Sequence, residues 1–150
     1  MNNKKRLIVV SAPSGGGKSV VTRHIMRLYP KAEFSISATT RDKRPLEKAG
    51  KDYYFVSKSE FKQMIENNEL IEWEEIFGNY YGTMKSEIRR ALDGDSMMIF
   101  DIDVKGALSI KKSFPDDAIL IFLKPLSVEV LEKRLRGRAT ETAEQINNRI

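Results

Sequence analysis

Ala12-Pro-Ser-Gly15-Gly16-Gly17-Lys18-Ser19 carries the plainest chemical meaning in this chain of 150 residues. It follows the phosphate-loop pattern G-x-x-x-x-G-K-[ST] at Gly17, Lys18 and Ser19, with Ala12 where the first glycine would stand. Glycines let backbone N–H groups turn towards phosphate oxygens with no Cβ in the way. Lys18 offers a point charge to β- and γ-phosphates, and Ser19 offers a hydroxyl to Mg²⁺. Asp101 closes the apolar run Met97-Met-Ile-Phe, and its carboxylate suits the same metal or its waters. Its other use would be to cap the following helix, which Asp103 could do equally well. A second anion site is written in Ser37-Ala-Thr-Thr-Arg41-Asp-Lys-Arg44-Pro45. Two guanidinium forks three residues apart, after a strand and before a proline, can face one phosphate.

The elements around these residues suit such work. Residues 7–10 are a continuous apolar run rich in β-branched side chains, the mark of a strand buried on both faces. After the glycines, Val21, Ile25 and Leu28 recur at helical spacing until Pro30. Residues 97–102 and 118–123 read as further buried strands, with a short crossover helix over 103–112 between them. Ser127 can cap a helix with the apolar stripe Val128, Leu131 and Leu135, and Gly137 offers a stop. Strands alternating with helices imply a parallel, three-layer α/β sheet. Residues 34–83 differ. Short strands are expected over 34–37, 53–56 and 70–76. Ser57-x-x-Glu60 forms a capping-box signal opening a helix through Phe61, Met64 and Ile65. This is a mixed α/β insertion. A helix begins over 140–150, with Ala143, Ile146 and Ile150 apolar, and the sequence stops within it. The C-terminal part of a longer domain is expected to be absent.

Composition removes other chemistries. There is no Cys, so disulfides, thiolate zinc sites and thiol nucleophiles are excluded. The one His, His24, makes a Ser–His hydrolase improbable and reads as a surface residue of the first helix. Lys and Arg exceed Asp and Glu by 26 to 21, a net charge of +5 that suits an anionic ligand. These charges are interleaved and no nucleic-acid-binding motif accompanies them. The apolar run after Arg6 stops at Ser11, too short for a signal peptide, and no stretch approaches a membrane span of about 20 residues. A soluble, cytoplasmic protein is expected.

Taken in order, the motifs resemble those of guanylate kinases. They are the glycine loop, Ser37-Ala-Thr-Thr-Arg-x-x-Arg44-Pro, Gly50-Lys-Asp-Tyr-Tyr-Phe55, Glu72-Trp and Gly78-Asn-Tyr-Tyr-Gly-Thr83. Phe100-Asp-Ile-Asp103 and Arg134-Leu-Arg-Gly-Arg-Ala-Thr-Glu-Thr142 complete the set, which spans nearly the whole chain. The resemblance implies a phosphate-loop nucleoside monophosphate kinase fold. Its core would be 1–33 and 84–125, its GMP-binding insertion 34–83 and its helical lid 126–150.

The resemblance also implies roles. Residues 12–19 (Ala12, Pro13, Ser14, Gly15, Gly16, Gly17, Lys18, Ser19) would bind ATP, with Ser19 and Asp101 at Mg²⁺. Arg41, Arg44, Tyr53 and Tyr81 would hold the GMP phosphate. Ser37, Glu72 and Thr83 would read guanine, with Asp103 close to the base edge. Thr83 stands where many members have Ser. Lys18, Arg44, Arg138 and Arg149 would stabilise the transferred phosphoryl group. The expected partners are ATP and GMP alone, without nucleic acid or membrane, on a monomer or homodimer. The rival reading is a non-catalytic guanylate-kinase-like binding module, against which Lys18, Ser19 and the lid arginines are retained.

Overall fold

Leu7, Ile8, Val9 and Val10 are all buried, and alternate side chains serve two different cores. Leu7 and Val9 pack with Ile88, Ala91, Phe100, Ala107 and Ile110 on one face, while Ile8 and Val10 pack with Ala32, Ile99 and Ile25 on the other. That division is why the strand β1 (Leu7–Ser11) needs an unbroken apolar run. In the computed structural model, which describes residues 6–13 and 16–137, β1 lies inside a four-stranded sheet. Its order is β2 (Glu33–Phe34), β7 (Met98–Asp101), β1 and β8 (Ala118–Phe122), and every neighbouring pair is parallel. The helix α1 (Lys18–Leu28) covers one face; α3 (Lys85–Asp93) and α4 (Val104–Ser113) cover the other.

Between β2 and α3 the chain builds a second sheet, ordered β4 (Tyr54–Phe55), β3 (Ala38–Thr39), β6 (Asn79–Met84) and β5 (Leu70–Ile76). The capping box at Ser57 and Glu60 starts α2 (Lys58–Glu66), whose Phe61 is fully buried against this sheet. Phe61 stacks on Tyr80 with ring centroids 5.3 Å apart. Gly82 makes room for it, since a Cβ there would stand 3.0 Å from the Phe61 ring. Ser127 caps the last described helix, α5 (Val128–Arg136), as its sequence suggests.

Two expected strands come out differently. Residues 34–37 are not one strand: Glu33 and Phe34 pair with β7 in the first sheet, and pairing resumes at Ala38 in the second. The residues between are the crossing. The segment 118–123 is buried only in part, with Ile119 41% and Phe122 56% exposed, because β8 is an edge strand of the described sheet.

One carboxylate ties down the crossing. Glu87 of α3 is 2% exposed and accepts a hydrogen bond from the Ile36 backbone N–H at 2.9 Å and from Arg90 at 2.8 Å. Arg90 also reaches Glu33 of β2. Burial pushes the Glu87 carboxyl up, and the Ile36 N–H opposes that shift. Glu87→Ala should therefore lose about 1–3 kcal/mol of stability, the cost of stranding a buried donor, read by chemical denaturation.

Candidate active site

β1 and β7 run side by side and end at the same edge, with Val10 opposite Asp101. Beyond β1 the chain turns back to α1 through Ala12 and Pro13 to Gly16 and Gly17. The Gly16 N–H donates to the Pro13 carbonyl at 2.9 Å. A Cβ on Gly16 would meet the Ala12 Cβ at 2.7 Å, so Ala12, in the place of the motif's first glycine, itself packs inside the turn. Gly17 caps α1 at φ 91°, a conformation that disfavours any side chain. Lys18 opens the helix and its Nζ lies 2.9 Å from Asp101 Oδ1. Ser19 follows on the exposed first turn. Hydroxyl and carboxylate oxygens suit Mg²⁺, which keeps several waters and takes phosphate oxygens for the rest. The donor set fits that ion. Ser14 and Gly15 lie outside the described residues.

The second sheet sorts its side chains by face. Opposite residues of an antiparallel pair share a face, so Thr83 and its partner Glu72 stand together. The Thr83 hydroxyl donates to Glu72 Oε1 at 2.6 Å. Ala38 pairs with Gly82 and Thr39 with Tyr81, and the same register carried one step further sets Ser37 beside Thr83. Ser37, at the entry to β3, thus lines up with Thr83 and Glu72 in a polar row opposite the apolar face under α2. Burial pushes the Glu72 carboxyl above its usual range; the Thr83 hydrogen bond opposes this and the charge of Asp103 adds to it.

Further along the same face stands an aromatic and cationic group. Tyr53 meets Tyr81 edge-on at 6.3 Å and Phe55 at 5.8 Å, and burial raises its phenol pKa. The Arg41 guanidinium lies 5.3 Å from the Tyr53 ring centre. Arg41 gives two hydrogen bonds to Glu47, both 2.8 Å. This pairing lowers Glu47 to about 2 and holds Arg41 above its ordinary value. Arg44 is exposed, and its backbone N–H donates to the same Glu47 carboxylate.

The two half-sites meet at the turn from β7 to α4. Asp101 faces Lys18, and two residues later Asp103 caps α4, accepting from the Gly106 N–H at 2.7 Å. Gly106 presses on Glu72: a Cβ there would stand 2.4 Å from Glu72 Cγ and 3.2 Å from Asp103 Oδ1. A three-residue turn therefore carries one carboxylate on the phosphate loop and another beside the Glu72 row.

Residues 4–150 match the family model described as guanylate kinase. The chain belongs to the guanylate kinase family. It is 48% identical to the guanylate kinase of Chlorobaculum tepidum, over 97% of this chain and 74% of that protein. With the guanylate kinase of Porphyromonas gingivalis the identity is 49%, over 97% of this chain and 78% of the relative. The crystal structure of guanylate kinase from Anaplasma phagocytophilum superposes with a TM-score of 0.70 at 30% identity, covering 99% of this chain and 70% of that one.

Two residues that touch the site, Glu47 and Gly106, carry no signal in the sequence. Neither sits in a spacing that signals a role, because each acts through a contact that only the fold creates. Arg138 and Arg149 lie outside the described residues. Among the described arginines of α5, Arg136 pairs with Glu132 one turn back. The Gly106 contact gives a direct test. Gly106→Ala should raise KM for GMP about 10-fold while leaving KM for ATP alone, since overpacking costs about 1–3 kcal/mol and falls on Glu72. Steady-state kinetics with each substrate varied in turn will read this.

Proposed function

We propose that this chain transfers the γ-phosphoryl group of Mg·ATP to GMP, giving ADP and GDP. The reading fits its family, and the observation that carries it is the β7–α4 turn. Asp101 at one end pairs with Lys18, while Asp103 at the other sits with Gly106 against Glu72. A phosphate loop and a carboxylate–hydroxyl row joined so closely suit a donor triphosphate and an acceptor base held in one cleft.

In this reading residues 12–19 cradle ATP. Ser19 and Asp101 would hold Mg²⁺, which would supply charge neutralisation for the phosphate oxygens. Glu72 accepts from guanine N1–H and the 2-amino group; Ser37 and Thr83 donate to the base, with Asp103 at its edge. Arg41, Arg44, Tyr53 and Tyr81 hold the GMP phosphate. That phosphate is mostly dianionic at pH 7, its second pKa being about 6, so it needs no general base. ATP and GMP together bring about six negative charges. Positioning and cations must then supply the rate, and Lys18, Arg44, Arg138 and Arg149 are the groups to do so. Residues 34–83 and 126–150 would close over the substrates and exclude water. The reaction belongs to purine nucleotide metabolism in the cytoplasm. Among the described residues no helix is long and apolar enough to cross a membrane.

Purified protein with Mg·ATP should form ADP only when GMP is added, and AMP should not replace GMP. ATP turnover indifferent to the base, or none in the presence of bound ATP, would reject the reading. A failure to bind ATP at all would favour the non-catalytic module.

A further inference from the structure

We infer that Glu47 is a positioning residue for the acceptor phosphate: it grips one edge of the Arg41 guanidinium and leaves the opposite edge for the phosphate. The inference rests on the reading of Arg41 as a phosphate arm. A guanidinium has five N–H donors in a fixed plane. NH1 gives one proton to Glu47 Oε1 and the other to the Asp42 carbonyl, both at 2.8 Å. NH2 gives one proton to Glu47 Oε2. One NH2 proton and the Nε–H make no bond to a carboxylate; they lie parallel on a single edge, beside the Tyr53 and Tyr81 phenols, which is the geometry that accepts two phosphate oxygens.

The plane cannot easily turn away. The Tyr53 and Phe55 rings lie 5.3 and 5.9 Å from the guanidinium carbon. Tyr81 also interacts with Arg41, and a phenol can release an Arg donor to a phosphate while giving the phosphate its own O–H. Glu47 further accepts from the Arg44 backbone N–H at 2.9 Å. One carboxylate thus fixes the side chain of one proposed phosphate ligand and the backbone of the other.

Simple charge predicts the opposite of this inference. Removing Glu47 leaves the pocket one unit more positive, which by itself tightens a dianion. A lost brace loosens it, and misplacing a binding group by about 1 Å can cost on the order of 10²-fold. The sign of the effect decides.

The experiment measures GMP and guanosine affinity by calorimetry for the whole chain and its Glu47→Ala, Glu47→Gln and Arg41→Ala variants. Glu47→Ala should weaken GMP about 10- to 10²-fold and leave guanosine unchanged. Glu47→Gln, which keeps one acceptor oxygen and the shape, should recover part of the loss. Unchanged or tighter GMP binding in both Glu47 variants overturns the inference, as does an equal loss for guanosine. Arg41→Ala separates the premise: normal GMP binding in that variant means that Arg41 is no phosphate arm.

Discussion

Lys18→Met should lower kcat by about 10³-fold or more while GMP binding stays nearly constant. Methionine keeps roughly the length of the side chain and removes only its charge. Cationic groups on a transferring phosphoryl can be worth 10³–10⁵ in rate, because charge develops on oxygens that water cannot reach. The structure adds a reason to separate rate from folding. Lys18 pairs with Asp101 at 2.9 Å, but both side chains are about a quarter exposed, at 26% and 24%. A pair that wet contributes ~1 kcal/mol at most. The variant should therefore melt close to the parent and still turn over far more slowly. Near-normal kcat would show that the glycine loop is not catalytic.

Glu72→Gln should lower kcat/KM for GMP by about 10²-fold or more, with ATP affinity unchanged. Glutamine keeps the shape but replaces one acceptor oxygen by a donor amide, which then opposes a guanine donor. Hydrogen bonds to charged groups contribute ~1.5–3 kcal/mol each. The oxygen that Thr83 holds at 2.6 Å fixes the carboxylate's orientation, so the replacement cannot simply rotate out of the way. AMP offers an unprotonated N1 and a C2–H, and a site built for lost donors can reject such an analogue by roughly 10⁴–10⁵. Burial holds the Glu72 carboxyl above its ordinary range. The binding form is the ionised one, so GMP affinity should fall as pH drops through that raised value. The same titration on Glu72→Gln should lack this component and retain the one from the phosphate. Normal GMP phosphorylation with AMP still excluded would make Glu72 an ordinary strand residue.

What could be read beforehand follows the range of the contacts. The phosphate loop is local: Gly16, Gly17, Lys18 and Ser19 act within one turn, and their spacing announces them. The strand run of β1 and the caps at Ser57 and Ser127 are equally local. Glu72 and Thr83 are eleven residues apart and meet through antiparallel pairing, so alternation along either strand says nothing of their partnership. Their roles came from family resemblance alone. Gly106 was hidden for the same reason, since its close approach is to a side chain of another sheet. The break at residues 35–37 was hidden because a two-residue strand is too short to show a period.

The Glu87 contact has a consequence for motion. The chain passes between its two sheets twice, outward through residues 35–37 and back at the junction of β6 and α3. One carboxylate near the return holds the backbone of the outward crossing at Ile36. Two passes of chain stapled near a common point make that junction the expected hinge for any swing of the second sheet, which would have to part Glu72 from Gly106, while sliding along the first sheet would break the staple. Opening and closing should thus leave the Ile36 amide slow to exchange with solvent deuterium, even where amides at the free end of the moving sheet exchange readily.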